Sequence, residues 1–331
     1  MAAIALRSPQ YKSATADTGT PLSAKLTISI DGTIEYTLVK STSLNQTMLW
    51  EIAELCRDFI DITFNGTYTP ETLAIISTLT SHASTDGTGT ALTTDAFTDV
   101  GYDGYGTFME GDNPTVPFGS RPTWLVSPDP SGTLNNEYYI YVPNNTAGSV
   151  PYIIASEALG YATYSTSDSD IQGSPAGTKM NINRVDCTKY GDGHKITFVN
   201  KFGALQDIWF FLKSVNTTNK KQEQFQRNII TSTGSYNVNT HTKQDYNTVA
   251  NTSISLSSGY YPEWANQWFE QLLLSEQVWL TRPNPFNPTA DEVVPVNVKK
   301  SNMVKKTSLN ERLIDYTFEF DMSFDYINNI R

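Results

Sequence analysis

The chain has 331 residues and a formal net charge of −11, with 39% hydrophobic and only 17% charged residues. That acidity argues against a general nucleic-acid binder, which needs Lys and Arg clustered against phosphate. The 18 Tyr, 15 Phe and 6 Trp argue against a disordered chain. With few charges, the polar surface falls to Thr, Ser, Asn and Gln, which compete with helix backbone for hydrogen bonds and favour strands and turns. The expected fold is mainly β, with β-sandwich-like sheets and two short amphipathic helices. The length allows two domains, drawn at residues 1–180 and 181–331.

The first seven residues carry no basic region ahead of an adequate apolar run, and no apolar stretch reaches about 18 residues. Neither a secretion signal nor a membrane span is expected. The first clear element is a hairpin. Leu26, Ile28 and Ile30 alternate with polar residues, as do Ile34, Tyr36 and Leu38 beyond Asp31-Gly32. A two-residue loop would set apolar residues opposite polar ones. A three-residue loop of Ile30, Asp31 and Gly32 pairs Ile28 with Ile34 and keeps the faces consistent, so the sequence predicts that loop.

Leu49, Ile52, Ala53, Cys56, Phe59 and Ile60 then follow helical spacing and predict a helix near 47–61, capped by Asn45 or Thr47. Between 81 and 177 Gly, Thr, Ser, Asp and Pro dominate, which predicts a decorated β region with surface loops and short strands at 138–142 and 152–155. Tyr102, Tyr105 and Phe108 in this region are candidate glycan contacts. From Met180 a second hairpin is predicted, turning at residues 200–203, with an apolar return strand ending at Leu212. The stretch 213–227 holds Lys220, Lys221 and Arg227 among polar residues and reads as a basic, solvated face, and with 299–306 it is a candidate patch for subunit contact.

Pro262 opens a helix over 262–274 with Trp264, Trp268, Phe269, Leu272 and Leu273 on its apolar stripe, and Glu263, Asn266, Gln267 and Glu270 toward water. A proline-rich turn over 283–288 leads to a strand around 293–298. The C-terminus alternates without fault from Ile314 to Phe324, predicting one long strand of 11 residues, roughly 35 Å when extended. Its outer face carries Asp315, Glu319, Asp321 and Asp325. These are candidates for an assembly interface, matched by Lys299, Lys300, Lys305 and Lys306 on a neighbour.

Chemical signatures are sparse, and a non-enzymatic protein is expected. His82, His194 and His241 stand apart without metal-ligand spacing and are expected on the surface or in loops. No dinucleotide, P-loop or serine-hydrolase motif implies a cofactor or nucleophile. Asp99 with Asp103, and Asp168 with Asp170, are the carboxylate pairs closest to a glycosidase arrangement, and such pairs are common. Asp168-Ser169-Asp170 lacks the spacing and closing Glu of a calcium loop. Cys56 and Cys187 are expected to be free, buried thiols.

Five stretches carry a resemblance: Leu49 to Ile60; Lys195 to Asp207, with Lys195-Ile196-Thr197-Phe198-Val199-Asn200-Lys201-Phe202-Gly203 at its start; the helix from Tyr261-Pro262-Glu263-Trp264 on to Leu272 through Trp279; Val294-Pro295-Val296; and Leu313-Ile314-Asp315-Tyr316-Thr317-Phe318-Glu319-Phe320. In this order they resemble a group of uncharacterised tail-module proteins in phages of Bacteroidetes and marine bacteria; most of 81–177 lies outside the resemblance. It implies a tail-tip, baseplate or tube-adaptor component of a virion, assembled in the host cytoplasm. Its partners would be copies of itself in a ring and other tail proteins. The group offers no catalytic residues to carry over. The alternatives are a receptor- or carbohydrate-binding module using the 81–177 loops, with a host-surface glycan as partner, and a polysaccharide-degrading tail enzyme.

Overall fold

The computed structural model describes residues 2–15, 23–41, 47–68, 71–114, 137–144, 150–156, 160–166, 171–173, 178–186, 193–284, 286–299, 302–305, 307 and 313–325. The chain is mainly β, with multiple sheets and two short α-helices, as its composition predicts.

The N-terminal sheet has five strands in the order Ala2–Ala5, Thr93–Tyr102, Leu73–His82, Ser23–Ile30 and Thr33–Ser41. Ala2–Ala5 runs parallel to its neighbour and the other pairs are antiparallel. Alternation puts Ala24, Leu26, Ile28 and Ile30 on the inner face with Ile75 and Leu79, where they close over Trp50, Ile52 and Cys56. Within the expected 81–177 insertion, residues 83–92 are an irregular loop, but Thr93–Tyr102 returns to the sheet as a paired strand.

The first hairpin corrects the predicted loop. Asp31 (φ 48°) and Gly32 (φ 88°) are both left-handed, forming a two-residue turn that pairs Ile30 with Thr33. The face mismatch is absorbed one step later. Ser29 pairs with Ile34 and Ile28 with Tyr36, so Glu35 is the extra residue of a bulge and Leu26 then meets Leu38 in phase. Ile34 is left 64% exposed as a result.

The helix predicted near 47–61 is also corrected. Thr47–Glu51 is a strand paired with Tyr11–Thr15, and only Ala53–Arg57 is helical. Met48 and Trp50 are buried while Leu49 is exposed, so period two wins over the helical spacing in this stretch. The Glu51 carboxylate ends the strand and starts the helix, accepting from the Ala53 N–H at 2.7 Å and the Glu54 N–H at 3.4 Å. Cys56 on this helix is free and buried, as expected, whereas Cys187 lies outside the described residues. Burial, with the Glu51 and Asp99 carboxylates nearby, pushes its thiol up to about 12. In a Cys187→Ser background, Cys56 is expected to stay unlabelled by a thiol reagent at pH 8 in the folded protein and to react within seconds in denaturant. Rapid labelling of the native chain would contradict its burial.

The C-terminal sheet has seven strands, ordered Leu205–Phe210, His194–Val199, Val278–Asn284, Asn287–Val298, Thr317–Met322, Lys243–Ser257 and Ser214–Gln226. The hairpin with its turn after Val199 forms as predicted. Ile196, Phe198, Phe210, Leu280, Phe318 and Phe320 share one buried face. The helix Asn266–Leu274 lies on it through Phe269, whose ring stacks on Phe318 at 6.0 Å and meets Phe210 edge-on at 6.3 Å. Asn266, expected in water, is buried and accepts the Tyr316 hydroxyl at 2.5 Å.

That bond also explains why the C-terminal strand is not continuous. Leu313–Ile314 pairs with Tyr261–Pro262, and Thr317–Met322 pairs on both sides, with a break where Tyr316 meets Ser258 and the helix. The alternation still holds through the break, since Ile314, Tyr316, Phe318, Phe320 and Met322 are all buried.

The two halves share a core rather than meeting at a linker. The strand Thr178–Val185 crosses the boundary drawn at 180, runs parallel to Glu137–Pro143, and adds Ile182 beside Ile140 and Val142 to the C-terminal cluster. On the other face of the seven-stranded sheet, Phe64 packs against Trp279 at 5.9 Å and the Tyr68 hydroxyl bonds Asp207. A polar seam adds to this. Arg57 bonds both Asp103 and Glu276, Arg7 bonds Glu276 at 3.1 Å, and the Tyr105 N–H donates to the Lys201 carbonyl at 2.8 Å. Burial raises the Asp103 carboxyl above its ordinary value against the pull of Arg57 and Arg7. Desolvation also acts to raise Glu276, but the Arg57 hydrogen bond and both guanidinium charges outweigh it and hold that carboxyl low.

Candidate assembly interface

The acidic C-terminal strand sits inside the sheet, with ladder partners on both sides, and offers no free edge. Its charges meet a cation of the same chain: Lys299 lies 2.9 Å from Glu319 and 3.7 Å from Asp321. Lys305 bonds Glu270 at 2.7 Å. Asp315 is half-buried and Asp325 exposed, while Lys300 and Lys306 lie outside the described residues. The predicted match between acidic strand and Lys299 is therefore made within one copy, through exposed pairs that contribute little to stability.

The candidate glycan contacts do not form one platform. Tyr102 is fully buried, which corrects its assignment as a contact. Tyr105 is half-buried with the Arg7 guanidinium 5.2 Å from its ring, and Phe108 is 98% exposed. Asp99 and Asp103 are buried and each meets a cation, Lys12 at 2.6 Å and Arg57 at 3.3 Å. Asp168 and Asp170 lie outside the described residues. The histidine expectation is corrected too. His82 is buried in its strand with Nε2 2.9 Å from Thr80 Oγ1, His194 is half-buried, and only His241 is exposed. Among the described residues no three His, Cys, Asp or Glu side chains gather as metal ligands, and no helix is long and apolar enough to cross a membrane.

A prominent surface feature includes the basic segment 213–227, which the sequence marks as a solvated face and a candidate contact patch without revealing its shape. Ser214–Gln226 and Lys243–Ser257 form an antiparallel ribbon, the longest hairpin among the described residues. Only Ser253 to Ser257 of the second strand pairs with the sheet, at Thr317–Met322. Among the described residues, the ribbon from Thr218 and Thr252 outward makes ladder pairs only with itself, over a length of roughly 30 Å. Its first strand is exposed on both faces after Ser214, and residues 227–242 at the tip are almost entirely exposed.

The arm is built from local pairs. Lys221 opposes Val249 and Glu223 opposes Tyr246, so one strand carries an extra residue there, with Asn247 left-handed at φ 50°. Such a bulge adds twist. Gln224 donates to Asp245 at 2.7 Å. Phe225 and Tyr246, on one face, meet edge-on at 5.7 Å and remain 44% and 45% exposed. At the root of the arm a groove of about 810 Å³ runs between Asn216 and Thr218 on one side and Arg282 and Phe286 on the other, past Met322 and Phe324. Phe286 is 94% exposed.

A two-stranded ribbon in water is marginally stable by itself. The sequence signal for it is weak because both faces are polar, so neither alternation nor an apolar run marks it. Its one readable sign is a long run of Thr, Asn, Gln and Lys without Gly or Pro. The chain matches no protein-family model, and neither the curated proteins nor the solved structures contain a match to it.

Proposed function

We propose that this chain is a structural component of a bacteriophage virion, placed in the tail as a tail-tip, baseplate or tube-adaptor subunit. It acts through subunit contacts, without catalysis. The observation that carries the reading is the arm. Among the described residues roughly 30 Å of ribbon makes ladder pairs only with itself and keeps Phe225 and Tyr246 about half exposed near its end, and a neighbouring subunit gives it a surface. The virion context rests on the resemblance of the 49–60, 195–207, 261–279, 294–296 and 313–320 stretches to phage tail-module proteins. In such an assembly the partners are copies of the same chain in a ring and other tail proteins, and an arm on one patch meeting a different patch is a heterologous contact, which closes into rings. Peptide mass spectrometry of purified particles of the encoding phage tests this. The expected result is the chain at a fixed copy number that is a multiple of three or six, and its absence from the particle would refute the reading.

One observation favours a second reading, a carbohydrate-binding tail module. Phe108 and Met109 are almost wholly exposed beside a hollow of about 330 Å³ lined by Tyr11, Thr107 and Asp112. Binding to a host polysaccharide array, lost in Phe108→Ala, would support it.

A further inference from the structure

The aromatic pair on the arm and the groove at its root are complementary, and we infer that they are two halves of one contact: Phe225 and Tyr246 of one copy seat in the groove between Phe286 and Phe324 of a second copy. This inference rests on the assembly reading above and names the partner of the arm.

Three observations carry it. The groove, about 810 Å³, is within the size range of sites that enclose a ligand, and it holds exposed aromatic surface where a soluble monomer ordinarily shows little. The arm cannot fill its own groove. Thr218 lines it, and Phe225 lies seven residues further along a paired strand, roughly 23 Å away. The third observation is charge. Residues 213–250 hold five cations (Lys213, Lys220, Lys221, Arg227, Lys243) against Glu223 and Asp245, net +3, so the remainder of a chain of net −11 carries −14. Lys220, Lys221 and Lys243 flank the aromatic pair. Beside the groove stand Asp291, whose ladder partner is Pro283, and Asp325, next to Phe324, both exposed. Arg282, the one charged residue lining the groove, is paired with Glu292 at 2.6 Å, and on the arm Glu223 opposes Tyr246 while Lys220 meets Asp245. The attraction to a second copy therefore runs from the remaining cations Lys221, Arg227 and Lys243 to the acidic rim at Asp291 and Asp325. Because knob and groove are different surfaces of one chain, the contact propagates from copy to copy.

The test uses the full chain in a Cys187→Ser background, with Tyr246→Cys in one preparation and Phe286→Cys in another. Mixed under mild oxidant, the two are expected to give a disulfide-linked heterodimer at least tenfold above either alone. Phe225→Ala with Tyr246→Ala, both exposed positions, is expected to weaken self-association at least a hundredfold while leaving the melting temperature unchanged. Added salt is expected to weaken the wild-type association. If the wild type assembles in light scattering but the mixture does not cross-link and the double variant assembles normally, the arm-in-groove contact is wrong and the subunit reading stands. If the wild type remains a monomer at every concentration, both fall.

Discussion

A chain in which residues 219–251 are replaced by Asn-Gly is expected to fold normally and to lose self-assembly. Thr218 and Thr252 are directly paired across the ribbon, so a two-residue turn closes the shortened hairpin without disturbing the sheet. The deleted segment contributes little to the core: Ala250 is its one buried hydrophobic residue, and the Asn251 amide donates to the Met322 carbonyl at a long 3.4 Å. Stability should therefore change by less than about 1 kcal/mol, as for surface changes generally, with the shorter loop slightly favoured. Association should fall by roughly a thousandfold, because two aromatic anchors at about 2 kcal/mol each are removed together with their cationic flank. Urea unfolding and sedimentation velocity on the same preparation separate the two effects. A shortened chain that unfolds early would show that the arm is part of the fold, and one that still assembles would remove the arm from the interface.

The second large effect belongs to the seam between the halves. Gly203 is left-handed (φ 78°) in the turn after Val199, and a Cβ there would lie 2.9 Å from the Asp103 nitrogen and 3.0 Å from its carbonyl carbon. Gly104 faces the same turn, and its Cβ would fall 2.7 Å from the Lys201 carbonyl oxygen. Two glycines thus let two backbones touch, which permits the Tyr105 to Lys201 hydrogen bond and sets Asp103 within reach of Arg57. Gly203→Ala is expected to cost about 2–5 kcal/mol, combining about 1–2 for the left-handed residue with about 1–3 for forced displacement. Gly32→Ala is the internal control. It has a similar φ of 88° but open space around its Cβ, so only the conformational part applies. Denaturant midpoints for the two variants should therefore differ clearly. Equal losses would mean that the 103–106 and 200–204 segments move apart at little cost, and that the seam does not hold the halves together.

Much of the fold was legible because burial imposes a period. The aromatic alternation from Ile314 to Met322 marked the core strand, and Trp268, Phe269 and Leu272 marked the helix above it. Legibility failed where a local choice was settled by something outside the pattern. Leu49 and Ile52 fitted a helix, yet pairing with Tyr11–Thr15 drew 47–51 into a strand. The hairpin loop was chosen on face consistency, and the chain instead kept the two-residue turn that Asp31-Gly32 favours and moved the mismatch into a bulge. Tyr102 stood among loop glycines but belongs to a sheet strand and points into the core.

Acidic residues on the C-terminal strand drew attention because their spacing was regular, but Lys299, which could not be placed from sequence, answers Glu319 and Asp321 within the same chain. The charge of 213–227 marked it as a candidate contact patch, but the ribbon itself was not legible because a hairpin solvated on both faces has no hydrophobic period. Its meaning comes from what it lacks in the ladder, and that is visible only once the sheet order is known.

Sedimentation velocity on the intact chain across a concentration series tests the central claim most directly, that the exposed ribbon exists to join copies. The account predicts a discrete species several times the 36.8 kDa chain mass, which dissociates as salt rises. A single 36.8 kDa species at every concentration and salt would contradict it.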